Sequence, residues 1–494
     1  MNNKELIKVF KIIILSIFLI IPINNAIALQ QSDKINPENY NIKKILLFII
    51  IILHSSCSKQ DSINNELITV ELEELNIDFP TMKINTNGRE IVDEPKVMAD
   101  LAVIENNNQS NYKIGIEIRG SSSQMFPKKS YGFETKNFSY TMDQDESIGG
   151  FPSEEDWILY GPYTDKSLIR NKLVFDLSNS IGFKAGNTKF YNLFINDKDN
   201  GLYILMEKIK RDVNRVNISK FDENSDVGGF IVKIDKPTGE GATCNTCYSE
   251  LFSFRSNYNT NGDITEESGI YFIYHYPKPS EINNNQKQYI ISSVNSFESV
   301  LAKENFDYSE SPDYLNFIDI DSFIDFFIIN ELTKNIDGYR LSTYLYKDPN
   351  GKLKMGPIWD FNLAFGNANY CEGSKATGWG YKFNSVCPGD IWQIPFWWDR
   401  LMESEYFKDR LKNRWEELRQ NKLSNLTINN IIDSHLKFLS NNNIINENFI
   451  YWPILGKWVW PNSFIGNSHD EEINFLREWI DRRLSWLDQH MGFL

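Results

Sequence analysis

The hydrophobic pattern of this chain changes its period once, and that change limits the fold more than any other feature. Up to about residue 280 apolar residues recur every second position, as in "KIGIEIRG", "SYGFETK", "KFYNLFIN", "GLYILMEKI", "GGFIVKID" and "IYFIYHYP". That alternation belongs to strands. One helix interrupts it, Ser167 to Ile181, stopped by Gly182. The turn Asp197–Asn200 joins two of the strands as a hairpin. From Ser280 on the spacing is mainly helical. Residues 281–303, 319–334, 399–440 and 468–491 fit helices, and Ile320, Phe323, Ile324, Phe327 and Ile328 share one face. A hairpin around Pro349-Asn350-Gly351 is embedded between them. The pattern predicts an α+β fold of two lobes, β-rich over 76–280 and helical over 281–494, with a ligand cleft between them.

The N-terminus reads as a targeting segment over residues 1–57, followed by a polar tether over 58–75. Lys4, Lys8 and Lys11 precede the apolar run Ile12 to Ile21, and Ala26-Ile-Ala28 resembles a cleavage site. Lys43-Lys44 then precede a second apolar run, Ile45 to Leu53, and "HSSCSKQ". That second run is too short to span a bilayer core of about 30 Å. It suits a signal peptide, and Cys57 after small residues resembles a lipoprotein acylation site, although His54 departs from the usual Leu. The expectation is an exported cell-envelope lipoprotein held to the membrane through Cys57.

Four other cysteines remain: Cys244, Cys247, Cys371 and Cys387. In an exported chain an even number favours disulfides, most simply Cys244 with Cys247 and Cys371 with Cys387. A four-thiolate zinc site is the rival reading. The formal charge is −15, and residues 1–56 carry six Lys against three acidic residues, which leaves −18 beyond them. So acidic a body argues against nucleic-acid binding, because it cannot replace counterions on phosphates. The five histidines are scattered, which argues against a Ser–His–Asp hydrolase.

The densest chemical signal is "NELTKNIDGYRLSTYLYKDPNGKLKMGPIWDFNLAFGN", residues 330–367. Asp337 follows a helix, Asp360 follows a strand, and the hairpin between them returns the chain. Two acids so placed suit phosphoryl transfer: one orients or deprotonates a hydroxyl, the other holds Mg²⁺ (or Mn²⁺) against nucleotide phosphates. Asn362 would add an amide oxygen to the metal. The plainer reading is that each Asp caps a turn.

Residues 114–367 closely resemble the CotH kinase family, the spore-coat protein H-like atypical secreted protein kinases. The segments that carry the likeness are "IEIRGSSSQMFPKKSYGFE", "DKSLIRNKLVFDLS", "YNLFINDKDNGLYILMEKI", "GGFIVKID", "DGYRLSTYLYKD" and "GPIWDFNLAFGN". "PFWWDRLMESEYFKDRLKNRWEELR" and "EINFLREWIDRRLSWLD" extend it to roughly residues 75–490. The resemblance implies a kinase-like fold, ATP as cofactor and an exported protein substrate. It makes Asp337 the catalytic acid and Asp360 the metal acid. The family commonly carries a second Asp two residues after the metal acid; this chain has Asn362, one charge fewer. The resemblance also gives the first lobe to the phosphates. Arg119, Gly120 and Ser121 would begin a phosphate-covering loop, Lys128 and Lys129 would contact phosphate as point charges, and Glu207 would stand at the adenine linker. Arg170 either pairs with an acid or reaches phosphate.

The aromatic clusters "GWGYKF", "IWQIPFWWD" and "WPILGKWVWP" have two readings, packing of the second lobe or a face that stacks on sugars. The second would suit a non-catalytic surface protein that binds glycans or proteins.

Overall fold

The computed structural model describes residues 79–221, 225–307 and 311–492. The targeting segment, the tether and Cys57 lie outside them.

Four of the alternating segments form β3 (Asn108–Arg119), β4 (Ser130–Lys136), β6 (Thr188–Ile195) and β7 (Lys198–Glu207), and three strands not singled out in the sequence, β1 (Thr81–Asn85), β2 (Val97–Glu105) and β5 (Asp156–Tyr160), join them. They close into a barrel in the order β1-β2-β3-β4-β5-β7-β6. The closing pair is parallel, with Thr81 to Ile84 running beside Asn192 to Ile195. One side of the alternation fills the barrel: Met82, Ile84, Leu101, Ile114, Ile116, Phe133, Trp157 and Leu205 are among its packed residues. The two-residue turn between β6 and β7 falls at Asn196 and Asp197, one step earlier than expected. Both have positive φ (49° and 60°), as a turn matched to strand twist requires.

The other side of β5 to β7 is also covered. Ile158, Phe190, Leu202, Ile204 and Met206 join a second, larger core with α1 (Arg170–Ser180) and the helices of the second half. That explains why β7 reads as a continuous apolar run from Leu202 to Met206, all of it buried. The helices are α2 (Asn284–Leu301), α3 (Ile320–Thr333), α4 (Phe383–Val386), α5 (Trp397–Leu401), α6 (Glu405–Arg419), α7 (Asn425–Ser440), α8 (Ile444–Tyr451) and α9 (His469–Met491). Caps set their starts: the side chains of Asn283, Asp319, Ser404, Ser424 and Ser468 each accept from a backbone N–H of the first turn. The fold is thus a mixture of helices and two sheets, as the change of period predicts. The closed barrel was not foreseen.

The second sheet has the order β12-β11-β8-β10-β9. Its strands are β8 (Phe230–Ile234), β9 (Ser253–Arg255), β10 (Tyr271–Tyr276), β11 (Thr343–Lys347) and β12 (Lys354–Met355). It therefore takes strands from both sides of residue 280. β8 pairs antiparallel with β11, and the register sets Ile234 opposite Thr343. Asp235 thus leaves β8 beside the point where the Asp337–Ser342 loop enters β11.

A buried polar network anchors that loop. Arg483 on α9 donates to Glu331 Oε2 at 2.9 Å and to the Glu331, Ala376 and Gly378 carbonyls. Glu331 also accepts from the Tyr339 hydroxyl and from the N–H groups of Gly380 and Tyr381. Both charged side chains are fully buried.

Both disulfides are those expected from spacing, Cys244–Cys247 and Cys371–Cys387, with Cα separations of 5.1 and 5.6 Å. The thiols are used in pairs, not as a zinc cage.

Candidate active site

The barrel, the second sheet and the loops after α3 and β12 surround a cleft of about 750 Å³. That is within the range of pockets that hold a nucleotide-sized ligand, roughly 300–1,000 Å³. Asp337, Asp360, Asn362, Arg119 and Ser121 all line it. The acid of the loop after α3 and the acid five residues beyond β12, 23 residues apart in sequence, open into one space.

Each acid is held by its backbone and neighbours. Lys334 ends α3 in the left-handed conformation (φ 42°) and buries its ammonium among the carbonyls of Glu372, Lys375 and Thr377. Burial brings that ammonium down to a pKa of about 8. Three residues on, Asp337 accepts from Arg340 Nη2 at 2.9 Å. Arg340 is buried and also bonds the Ile336 and Trp392 carbonyls and Asp390. Asp360 sits at φ +64°, a conformation that costs a non-glycine residue about 1–2 kcal/mol. Its carboxylate is open to the cleft.

The electrostatics couple these groups. Enclosure by the protein raises Asp337 above the usual carboxylate range, Arg340 and Lys236 oppose the rise, and Asp235 and Asp390 add to it. Asp360 is pushed up to about 6, first by enclosure and then by the charges of Asp337 and Asp235, against Arg119 and Lys236. Crowded carboxylates with elevated pKa values form a site that gains from a cation.

The other residues singled out in the sequence divide. Arg119 is half-buried, stacks over Trp359 at 5.4 Å and has its pKa lowered by burial. Ser121 Oγ reaches Thr238 Oγ1 at 3.4 Å, tying the loop after β3 to the Gly-rich loop that carries the Cys244–Cys247 bridge. Lys128 borders the cleft, but its ammonium is buried and committed to the Leu202 carbonyl and Asn448 Oδ1, at 2.7 and 2.6 Å. Lys129 donates to the Gln124 carbonyl, outside the cleft lining. Arg170 takes the first of its two expected options, a buried pair with Asp165 at 2.6 Å, and also binds the Ala364 carbonyl. Glu207 is buried against Asn187 at the far end of β7. Three expected ligand contacts, Lys129, Arg170 and Glu207, are therefore absent from the cleft wall. These polar groups find partners in neighbouring backbone and side chains, which the order of residues does not reveal.

Two cations and one acid take their place at the wall: Lys233, Lys236 and Asp235. Lys233 lies 3.0 Å from Glu240 and 3.7 Å from Asp235. Burial opposes its charge, but Tyr344, Asp235 and Glu240 hold its pKa above the ordinary lysine value. Lys236 stands 4.6 Å over the Trp392 ring. The signal for Lys233 and Asp235 was present in "GGFIVKID". The period of two puts Lys233 and Asp235 on one face of β8 and Val232 and Ile234 on the other.

A family model described as CotH kinase protein matches residues 116–487. The chain belongs to the CotH kinase family. Against curated proteins there was no significant match. In this CotH-family chain, Asp360 and Asn362 bring to the cleft a carboxylate and an amide, whose oxygens are hard donors of the kind Mg²⁺ or Mn²⁺ prefers, and Arg119, Lys233 and Lys236 bring positive charge to it. Among the described residues, one set of three acidic groups lies close enough to share an ion: Asp145, Glu154 and Glu155. It lies in the segment between β4 and β5, where Lys210 pairs with Glu154 and Glu155 and Arg215 with Glu154.

Proposed function

We propose that this CotH-family protein is an atypical protein kinase that transfers the γ-phosphoryl group of ATP to a Ser or Thr hydroxyl of another exported protein. The observation that carries this reading is the opening of Asp337 and Asp360 into one cleft whose walls also supply Arg119, Lys233 and Lys236. A bound divalent cation would supply charge neutralisation at the phosphates. Asp360, aided by the Asn362 amide oxygen, would hold that cation. Asp337, oriented by Arg340, receives or aligns the hydroxyl proton. Arg119 and the two lysines stabilise charge on the phosphoryl oxygens. Ser121 and its neighbours cover the phosphates from the barrel side. The sequence of residues 1–57 supports export and a lipid anchor at Cys57 in the cell envelope.

The test is residues 58–494 incubated with labelled ATP and Mg²⁺ or Mn²⁺, with and without a basic Ser-rich protein. Asp337→Ala and Asp360→Ala should each lower labelling by about 10²-fold or more. Labelling that is equal in both variants and the parent would refute the proposal.

One observation favours a second reading, a non-catalytic glycan- or protein-binding module. Trp460 is 39% exposed at the cleft and lies parallel to Tyr370, their ring centroids 6.3 Å apart. Glycan-array binding that survives both Asp substitutions, without any labelling, would select it.

A further inference from the structure

The peptide unit between Asp360 and Phe361 is held from both sides by asparagine side chains. Its carbonyl, from Asp360, accepts from Asn335 Nδ2 at 3.3 Å. Its N–H, from Phe361, donates to Asn171 Oδ1 at 2.7 Å. The two asparagines come from different parts of the fold. Asn171 lies in the first turn of α1, next to Arg170, whose guanidinium fixes the Ala364 carbonyl four residues beyond Asp360. Asn335 lies two residues before Asp337, and its Oδ1 accepts the Asp337 N–H at 3.3 Å. Both asparagines are buried, at 2% and 6% exposure.

We infer that Asn171 and Asn335 are positioning residues that lock the orientation of the Asp360 carboxylate and tie it to Asp337. A left-handed φ is a sparsely populated state for Asp, and at Asp360 hydrogen bonds on both atoms of the following peptide hold it. Rotation of the 360–361 peptide would break both hydrogen bonds at once and leave two buried amides without partners. Asn335 does more than hold one side. It is a single planar amide whose oxygen fixes the backbone of the proton-handling acid and whose nitrogen fixes that of the metal acid. A shift in either loop therefore reaches the other through one rigid group. Supporting hydrogen bonds of this kind commonly change metal affinity by about 10–100-fold when removed. The inference rests on the kinase reading above, because that reading gives Asp360 its cation.

The test is Mn²⁺ affinity, measured by calorimetry on the full set of residues 58–494 in the presence of ATP. The variants are Asn171→Leu, Asn335→Leu, Asn171→Asp and Asp360→Ala. Leu keeps the approximate volume and removes the hydrogen bonds. Asp at 171 keeps the acceptor for the Phe361 N–H, and its added charge cannot by itself weaken a cation. Asn171→Leu and Asn335→Leu are expected to bind Mn²⁺ about 10–100-fold more weakly, and Asn171→Asp to bind much more tightly than Asn171→Leu. The double Leu variant should lose less than the product of the two single losses, since both act on one peptide unit. Should the Leu variants fail to fold, Asn335→Asp keeps the acceptor for Asp337 and loses only the donor to Asp360. It should then still weaken Mn²⁺, despite its extra charge. Leu variants, or that Asp variant, with parental affinity while Asp360→Ala has none would overturn the clamp and leave the kinase reading standing. No Mn²⁺ binding by the parent chain would overturn both.

Discussion

Arg340 reaches back three residues to Asp337, its Nη2 2.9 Å from Oδ1. The same guanidinium binds Asp390, and it lies 4.1 Å over the Phe383 ring. It thereby links the Asp337 loop to the 383–392 segment, which holds Cys387 of the Cys371–Cys387 bridge. Arg340→Met should leave Asp337 in a crowd of carboxylates with its strongest counterweight gone. The acid limb of the rate–pH profile should move to higher pH and kcat should fall about 10–100-fold. Urea denaturation should show a loss of about 1–3 kcal/mol, since the charge-assisted hydrogen bonds of Arg340 to two partly buried carboxylates are gone.

The elevated pKa of Asp360 gives a second expectation. The raised value of about 6 means that protons and cations compete for this carboxylate near neutrality. Mn²⁺ affinity should rise as pH increases through 6, then level off above about 7. Asp360→Asn should remove both the affinity and its pH dependence. Calorimetric titrations between pH 5 and 8 check this.

Glu298, on α2, lies wholly buried with Ser256 Oγ and Trp397 Nε1 as hydrogen-bond donors and no cation. Burial lifts its carboxyl to about 7. The folded state therefore binds a proton that the unfolded chain releases near 4.5. The sign follows: stability is highest below about 4.5 on this account, falls as pH rises to 7, and stays low above it. Glu298→Gln should raise stability at pH 8 by a few kcal/mol and leave it nearly unchanged at pH 5. Thermal melts at the two pH values test the difference.

The Glu331–Arg483 network should behave as a unit. Arg483→Met strands a buried carboxylate and should cost about 3–5 kcal/mol. Adding Glu331→Gln to that variant should recover part of the loss, because Gln keeps an acceptor without the charge. A denaturation cycle over the two single variants and the double variant would show that coupling.

Much of this was legible in the sequence. The strands β3, β4, β6, β7, β8 and β10, the long helices and the hairpin between Asp337 and Asp360 follow from periodicity and turn residues, whereas β1, β2, β5 and β9 were not singled out. Both Asp residues stood out because each ends an element. Barrel closure was not legible, since the β1–β6 pairing joins residues more than a hundred positions apart and leaves no local mark. The fate of Lys128 was hidden for the same reason: its partner Asn448 is 320 residues away, on α8. Lys129 and Glu207 look like site residues in order, but the Gln124 carbonyl takes the Lys129 ammonium and Asn187 takes one oxygen of Glu207. Lys233 and Asp235 were missed although their alternation with Val232 and Ile234 marks a charged strand face turned to a cleft.

The most direct measurement is a crystal of residues 58–494 soaked with Mn²⁺ and a non-hydrolysable ATP analogue, with diffraction recorded at the manganese edge. The expected result is an anomalous peak bonded to an Asp360 carboxylate oxygen and to analogue phosphates, with Asp337 facing the terminal phosphate. A nucleotide bound elsewhere, or manganese only at Asp145, Glu154 and Glu155, would contradict it.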